Sequence, residues 1–187
     1  MTLIYLVQHG EKEPGPGDPG LTGTGREQAG RTARWMHPLG LTAVYSSPQR
    51  RAWETGQIIA SVSGLRLRHD VRLRERMNWD DGQAVEAFMA EWDRSARERD
   101  YVPSRGDSSR RAGERLRAFL LDVAAEPGPV AAATHGGVTV DLLRTLLGDR
   151  GLPRGLLSEG VPACAVTTVH DLDVIKIASV AHLGGSL

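Results

Sequence analysis

The chain has 187 residues, 40% hydrophobic and 25% charged, enough to bury a core in the usual size range of one globular domain. Its 23 basic residues balance its 23 acidic ones, and no basic stretch is interleaved with aromatics, which excludes the electrostatic footprint of a nucleic-acid binder. Cys164 is the one cysteine, which excludes a disulfide framework and a cysteine-rich zinc site and fits a reducing compartment; no apolar stretch approaches the roughly 20 residues of a membrane span and no signal-like flank follows the first residues, so a cytoplasmic protein without a membrane partner is the expectation.

Residues 3–7 (LIYLV) are too short for a buried helix and run towards glycines, so they read as an interior strand of a parallel sheet, apolar on both faces. The strand stops at Gln8-His9-Gly10, and a loop rich in glycine, proline and charge continues to about Gly20. Thr22 precedes a helical segment over 25–36, with Ala29, Ala33 and Met36 on one side and Arg26, Glu27, Arg31 and Arg34 on the other. Residues 43–46 read as a second short strand, and Pro48 as the start of a helix to about Ile59. Residues 65–69 alternate like an edge or half-buried strand.

Patterning is poorest from 72 to 103, which holds a Trp79-Asp80-Asp81-Gly82 turn, a helix over 85–92 and a charged SARERD stretch read as a solvated face. Asp107-Ser108 then caps a long helix to about Ala125, with Ala112, Leu116, Phe119, Leu120 and Val123 inward. Residues 130–134 form the next interior strand, ending on His135-Gly136-Gly137, and a helix over 138–147 follows. Two alternating strands, 163–170 and 174–182, pair as a hairpin around Asp171-Leu172-Asp173. No internal repeat or linker divides the chain into several domains.

In open α/β sheets ligands bind beyond the carboxyl ends of the parallel strands, where backbone N–H groups of the following helices converge. His9 and His135 both stand there. If their strands are neighbours the two imidazoles face one pocket, and the glycines after them let a ligand approach the backbone. Arg51, in the first turn of the helix after residues 43–46, can fork two phosphate oxygens, with Arg50 the exposed member of the pair. Two histidines and an arginine around an anion suit phosphoryl transfer, which asks for positive charge on the equatorial oxygens and an in-line nucleophile, a role open to a histidine nitrogen.

Other candidates carry less. His37, His69, His170 and His182 show no partner pattern, although His182 stands near a strand end. Glu11 and Glu13 beside His9 lack a zinc-site spacing, so neither a metal nor another cofactor is expected. Trp53 and Trp92 occupy helical packing positions, and Trp79 has the best claim to touch a substrate.

Val7-Gln8-His9-Gly10-Glu11, the stretch GLTGTGREQA, the run SSPQRRAWET, Leu73-Arg74-Glu75 and Thr134-His135-Gly136-Gly137 together resemble the histidine phosphatase superfamily, in its order and spacing and over most of the chain. The resemblance implies an α/β fold of the phosphoglycerate mutase-like type, three layers α/β/α with a mostly parallel central sheet, and a variable insertion covering the site at about 77–103. It implies metal-independent hydrolysis of a small-molecule phosphate ester through a phosphohistidine. His9 would attack phosphorus, Arg51 and His135 would hold the phosphoryl oxygens, and Glu75 would protonate the leaving alcohol and then help water attack. Gln8, Lys12 and Gly136 would complete the phosphate site. From the residues alone, Glu75 between Arg74 and Arg76 reads equally as a surface ion pair.

Two positions depart from the family pattern. Gln8 stands where the signature has arginine, keeping N–H donors but losing the charge and the rigid fork. Lys12 replaces a small hydroxyl residue; either it supplies some of the missing charge or it is a solvated loop lysine. These departures favour a phosphatase over a phosphoglycerate-type mutase, which must keep its phosphoenzyme from water and rebind a second phosphate. The competing expectation is a catalytically impaired homologue that binds a phosphorylated ligand or a protein. The sequence leaves the oligomeric state open, a homodimer included.

Overall fold

The computed structural model describes residues 2–184. Among these, six strands form one sheet in the order β3-β2-β4-β1-β5-β6: β1 (Leu3–Gln8), β2 (Ala43–Ser46), β3 (Leu67–His69), β4 (Val130–Thr134), β5 (Val166–His170) and β6 (Asp173–Ser179). The first four in that order are parallel, whereas β5 and β6 are antiparallel additions. Asp171 and Leu172, with φ of 49° and 68°, make the two-residue turn between them, the geometry that matches the twist of a hairpin.

Helices α1 (Gly23–Met36) and α2 (Arg50–Ser63) cover one face of the sheet, and α4 (Ser109–Val123) and α5 (Gly136–Leu147) cover the other. The alternation within β1 serves both. Ile4 and Leu6 pack with Leu116 and Phe119 of α4 and Leu142 of α5, while Tyr5 and Val7 pack with Ala33 and Met36 of α1 and Ile59 of α2. The three-layer α/β architecture is thus as expected, and β1 and β4 are adjacent, with Gln8 in register with Thr134. That register alone brings His9 and His135 side by side.

Several boundaries move for identifiable reasons. Thr22 caps α1 by accepting from Gly25 N at 2.9 Å. Helix α2 starts at Arg50 rather than Pro48, because Asp18 reaches over from the loop and accepts from Arg50 N at 2.9 Å. Helix α3 (Val85–Arg97) runs beyond Trp92, and the SARERD stretch is not merely a solvated face: Ser95 is buried, and Arg99 donates to Asp141 O, Arg144 O and Thr145 Oγ1. A short helix, α6 (Leu156–Glu159), precedes β5. The last strand ends at Ser179, and His182 turns onto Trp35 of α1, stacked at 4.8 Å, with its Nε2 3.0 Å from Thr32 Oγ1. It does not approach the strand ends where His9 and His135 meet. No helix among the described residues is long and apolar enough to cross a membrane.

Candidate active site

The turn after β1 is built by close backbone approach. A Cβ on Gly10 would come within 2.5 Å of Gly25 O, and one on Gly25 would strike Glu11 O, so the GLTGTG stretch needs glycine where α1 crosses the strand end. His9 Nδ1 lies 2.7 Å from Gly10 O. A carbonyl only accepts, so Nδ1 carries the ring proton and Nε2 keeps its lone pair. Around that lone pair stand Arg51 Nε at 3.2 Å and Gln8 Nε2 at 3.3 Å. Burial, then the charge of Arg51 and more weakly that of Lys12, push the His9 pKa down to about 3, so the imidazole is neutral at physiological pH.

His135 lies beside it, ring centroids 5.3 Å apart and planes at 62°. It is fully buried, with Nε2 2.8 Å from Ser47 Oγ and Nδ1 without a hydrogen-bond partner. Burial, Arg51 and His9 hold its pKa well below the usual imidazole range. The structure therefore brings the two histidines together, with His135 set beneath the cavity surface.

Arg51 is 5% exposed. Its Nε faces His9, Nη2 donates to Asn78 Oδ1 at 3.3 Å, and Nη1 is buried with no hydrogen bond, 3.7 Å from Asp18 Oδ1. Lys12 is half-buried in the same cavity; burial and the nearby Arg51 lower its pKa. Two neighbouring cations, one with a buried donor free of any hydrogen bond, suit the binding of an anion. Arg50 is exposed and pairs with Glu54 at 2.8 Å, as expected.

Glu75 is no surface ion pair. Arg74 is bound to Asp107 at 2.7 Å and Arg76 to the buried Asp141 at 2.9 Å. The Glu75 carboxylate instead accepts from Gly137 N (2.9 Å), Val138 N (2.8 Å) and Arg76 N (2.7 Å), sitting on the N-terminus of α5 while also lining the cavity. A Cβ on Gly137 would stand 2.6 Å from Glu75 Oε1 and 2.7 Å from Trp92 Cη2, so that glycine is what lets the carboxylate dock. Gly136 opens the helix on the side of Gln8, whose buried Oε1 has no partner.

The cavity has a volume of about 240 Å³. His9, Lys12, Arg51 and Glu75 line one end, and Met77, Trp79, Phe88, Met89 and Trp92 the other. Trp79 touches it as expected; Trp92, expected to pack in the core, lines it too and carries the Arg76 guanidinium on its face at 4.4 Å. Trp53, also expected as a packing residue, is 40% exposed. A second cavity of about 300 Å³ lies on the other side of Glu75, against Gln8, Arg76 and Arg144.

Three polar residues that support the site have no signal in the sequence pattern. Gln49 donates to Asn78 Oδ1 at 3.2 Å and accepts from Glu75 N at 2.8 Å. Asn78 also holds Gly17 O at 2.5 Å, and Asp18 caps α2. Together they tie the glycine-rich loop, Arg51 and Glu75 into one hydrogen-bonded frame.

Comparison with known proteins bears on the family and the fold. A family model described as histidine phosphatase superfamily (branch 1) matches residues 4–171. The probable phosphoglycerate mutase GpmB of Yersinia enterocolitica is 32% identical over 165 residues, covering 79% of this chain and 76% of that protein. Among solved structures, YhfR of Bacillus stearothermophilus superposes with a TM-score of 0.76 at 26% identity, covering 98% of this chain and 100% of that one. A mycobacterial glucosyl-3-phosphoglycerate phosphatase in complex with VO3 gives a TM-score of 0.70 at 26% identity, covering 90% and 92%.

Proposed function

The chain belongs to the histidine phosphatase superfamily, and from that premise we propose that it is a cytoplasmic, metal-independent phosphatase that hydrolyses a small-molecule phosphomonoester through a phosphohistidine on His9. The observation that carries this reading is the Nδ1 contact to Gly10 O at 2.7 Å, which leaves Nε2 as the unprotonated nitrogen, beside a buried guanidinium.

The neutral imidazole attacks phosphorus through Nε2 while the P–O bond of the ester breaks. Arg51 Nη1, the buried donor without a partner, takes a phosphoryl oxygen, and Lys12 supplies a second positive charge. Glu75, as the general acid, gives a proton to the leaving oxygen; it then takes a proton from the water that attacks the phosphohistidine, and the P–N electron pair returns to His9 as inorganic phosphate departs. His135, its Nε2 held on Ser47 Oγ at 2.8 Å and its buried Nδ1 without a hydrogen-bond partner, offers Nδ1 to a second phosphoryl oxygen.

The name of the Yersinia relative raises the mutase alternative. A mutase has to bind a second anionic group at the far end of its substrate, and in this cavity that end is lined by Met77, Trp79, Phe88, Met89 and Trp92. The phosphatase reading fits this lining better. An impaired homologue is the other competitor, favoured by the neutral Gln8. Phosphate release from 4-nitrophenyl phosphate, compared between the native protein and His9→Ala, decides between them, with trapping of an acid-labile phosphoenzyme as a second readout. Equal rates and no trapped phosphate would sink the enzyme.

A further inference from the structure

Helix α3 buries Ser95 alone among its residues. Its apolar side chains point elsewhere: Phe88, Met89 and Trp92 line the far end of the cavity that begins at His9. Trp79 is stacked on Phe88 with ring centroids 6.4 Å apart and planes at 24°, and its Nε1 is fixed on Gln83 O at 2.8 Å. Met89 remains 46% exposed. The helix therefore presents an aromatic wall to the cavity, with Trp92 backed by Arg76 and Met89 open to solvent.

Charge points the same way. The cations that line the cavity, Lys12 and Arg51, both stand at the phosphate end. Near the far end, Arg76 is spent on Asp141 and Arg105 on Asp80. Asp81 stands beside the Gly17 stretch of the lining, where a Cβ on Gly17 would come within 3.2 Å of its Oδ1. A leaving group with a carboxylate or second phosphate would meet apolar rings and like charge, and would lose its water without a partner. A flat apolar body would exchange water for Trp79, Phe88 and Met89.

We propose that the site selects phosphomonoesters whose alcohol carries an apolar, preferably aromatic, body, and that this body is the packing partner of α3. The proposal rests on the phosphatase reading for its chemistry but not for its binding. Esters of primary alcohols keep the leaving-group basicity comparable, so 3-phenylpropyl phosphate, glycerol 3-phosphate and phosphoserine are the substrates to compare. The phenylpropyl ester is expected to show a kcat/KM at least about tenfold above both others, and Phe88→Ala or Met89→Ala to cut that ratio about threefold to tenfold. A binding arm needs no turnover: titration calorimetry of the native protein with 3-phenylpropylphosphonate and with 3-phosphonopropionate should show the first binding at least about tenfold tighter. If none of the esters is hydrolysed but the phosphonates bind in that order, the phosphatase reading fails and this proposal stands. If 3-phosphonopropionate binds as tightly, or the anionic esters are turned over as well as the apolar one, the proposal is wrong.

Discussion

The neutral residue beside the nucleophile offers the sharpest perturbation. Gln8 Nε2 stands 3.3 Å from His9 Nε2, the atom to which phosphorus would bond, so a donor at this position is within reach of an equatorial oxygen. Substituting arginine adds a full charge beside His9. At an effective dielectric near 20, a unit charge attracts another at 4 Å by about 4 kcal/mol. Desolvating the guanidinium takes back much of this, and a net gain of about 1–2 kcal/mol, or roughly five- to thirtyfold, is the realistic scale.

The new charge also repels Arg51 and Lys12, whose pKa values burial already lowers. That repulsion exists with and without ligand, so it appears in the stability of the free protein rather than in affinity. Gln8→Arg should therefore lower the Tm of the ligand-free protein, tighten competitive inhibition by inorganic phosphate and raise kcat/KM, with the Tm loss recovered on adding phosphate. Steady-state phosphate release and thermal unfolding with and without phosphate measure all of this. An unchanged inhibition constant in a folded variant would mean that position 8 does not face the phosphoryl group, and the electrostatic account of the site would fall with it.

Glu75→Gln should cost about 10²-fold or more in kcat for alkyl phosphates and much less for 4-nitrophenyl phosphate, whose leaving group needs no proton; equal losses on both would remove the acid role. Gly137→Ala drives a methyl to within 2.6 Å of Glu75 Oε1 and should abolish most alkyl-ester turnover while the fold survives, as judged by circular dichroism and retained phosphate binding. Lys12→Ala should weaken phosphate binding about threefold to tenfold at low salt and less in molar salt; salt-independent, unchanged binding would identify a mere loop lysine. His9 is held near pKa 3 in the folded chain against about 6.5 when unfolded. The unfolded state thus binds the extra proton as pH falls from 6.5 towards 3, and stability drops by up to about 1.4 kcal/mol per pH unit from this group. His9→Gln should unfold less steeply with acid over that window, as Tm measurements between pH 7 and 4 would show.

How far the site was legible follows from chain distance. His9 and His135 each end a run of apolar residues that only an interior parallel strand explains, and once β1 and β4 pair, the register Gln8 to Thr134 leaves no freedom in where they meet. Arg51 was legible because it opens a helix at that same edge. Glu75 was half legible: its neighbours Arg74 and Arg76 suggested ion pairs, but its partners are amides 62 and 63 positions away, which no local pattern encodes. Asn78, Gln49 and Asp18 were invisible for the same reason, being polar residues in irregular segments whose work is to bridge loops. Trp92 was misread because periodicity reports that a side chain avoids water, not whether protein or ligand shields it.

Topology explains why the chemistry sits where it does. After β1 the chain departs to α1 on one face of the sheet, and after β4, the adjacent strand, it departs to α5 on the other. The two connections diverge and open a crevice between neighbouring strand ends, the switch point at which α/β sheets bind ligands. The histidines are thereby anchored in the core, where truncating a buried leucine or isoleucine costs about 2–5 kcal/mol. The wall that would read the leaving group hangs on α3, where Ser95 is the one buried residue, Phe88 and Trp92 are half-buried and Met89 is exposed, and an exposed position such as Met89 changes by about half a kcal/mol or less on substitution. Reactivity and selectivity are therefore carried by parts of very different stability, so the leaving group this fold accepts can be changed at α3 with little risk to the strands that hold the nucleophile.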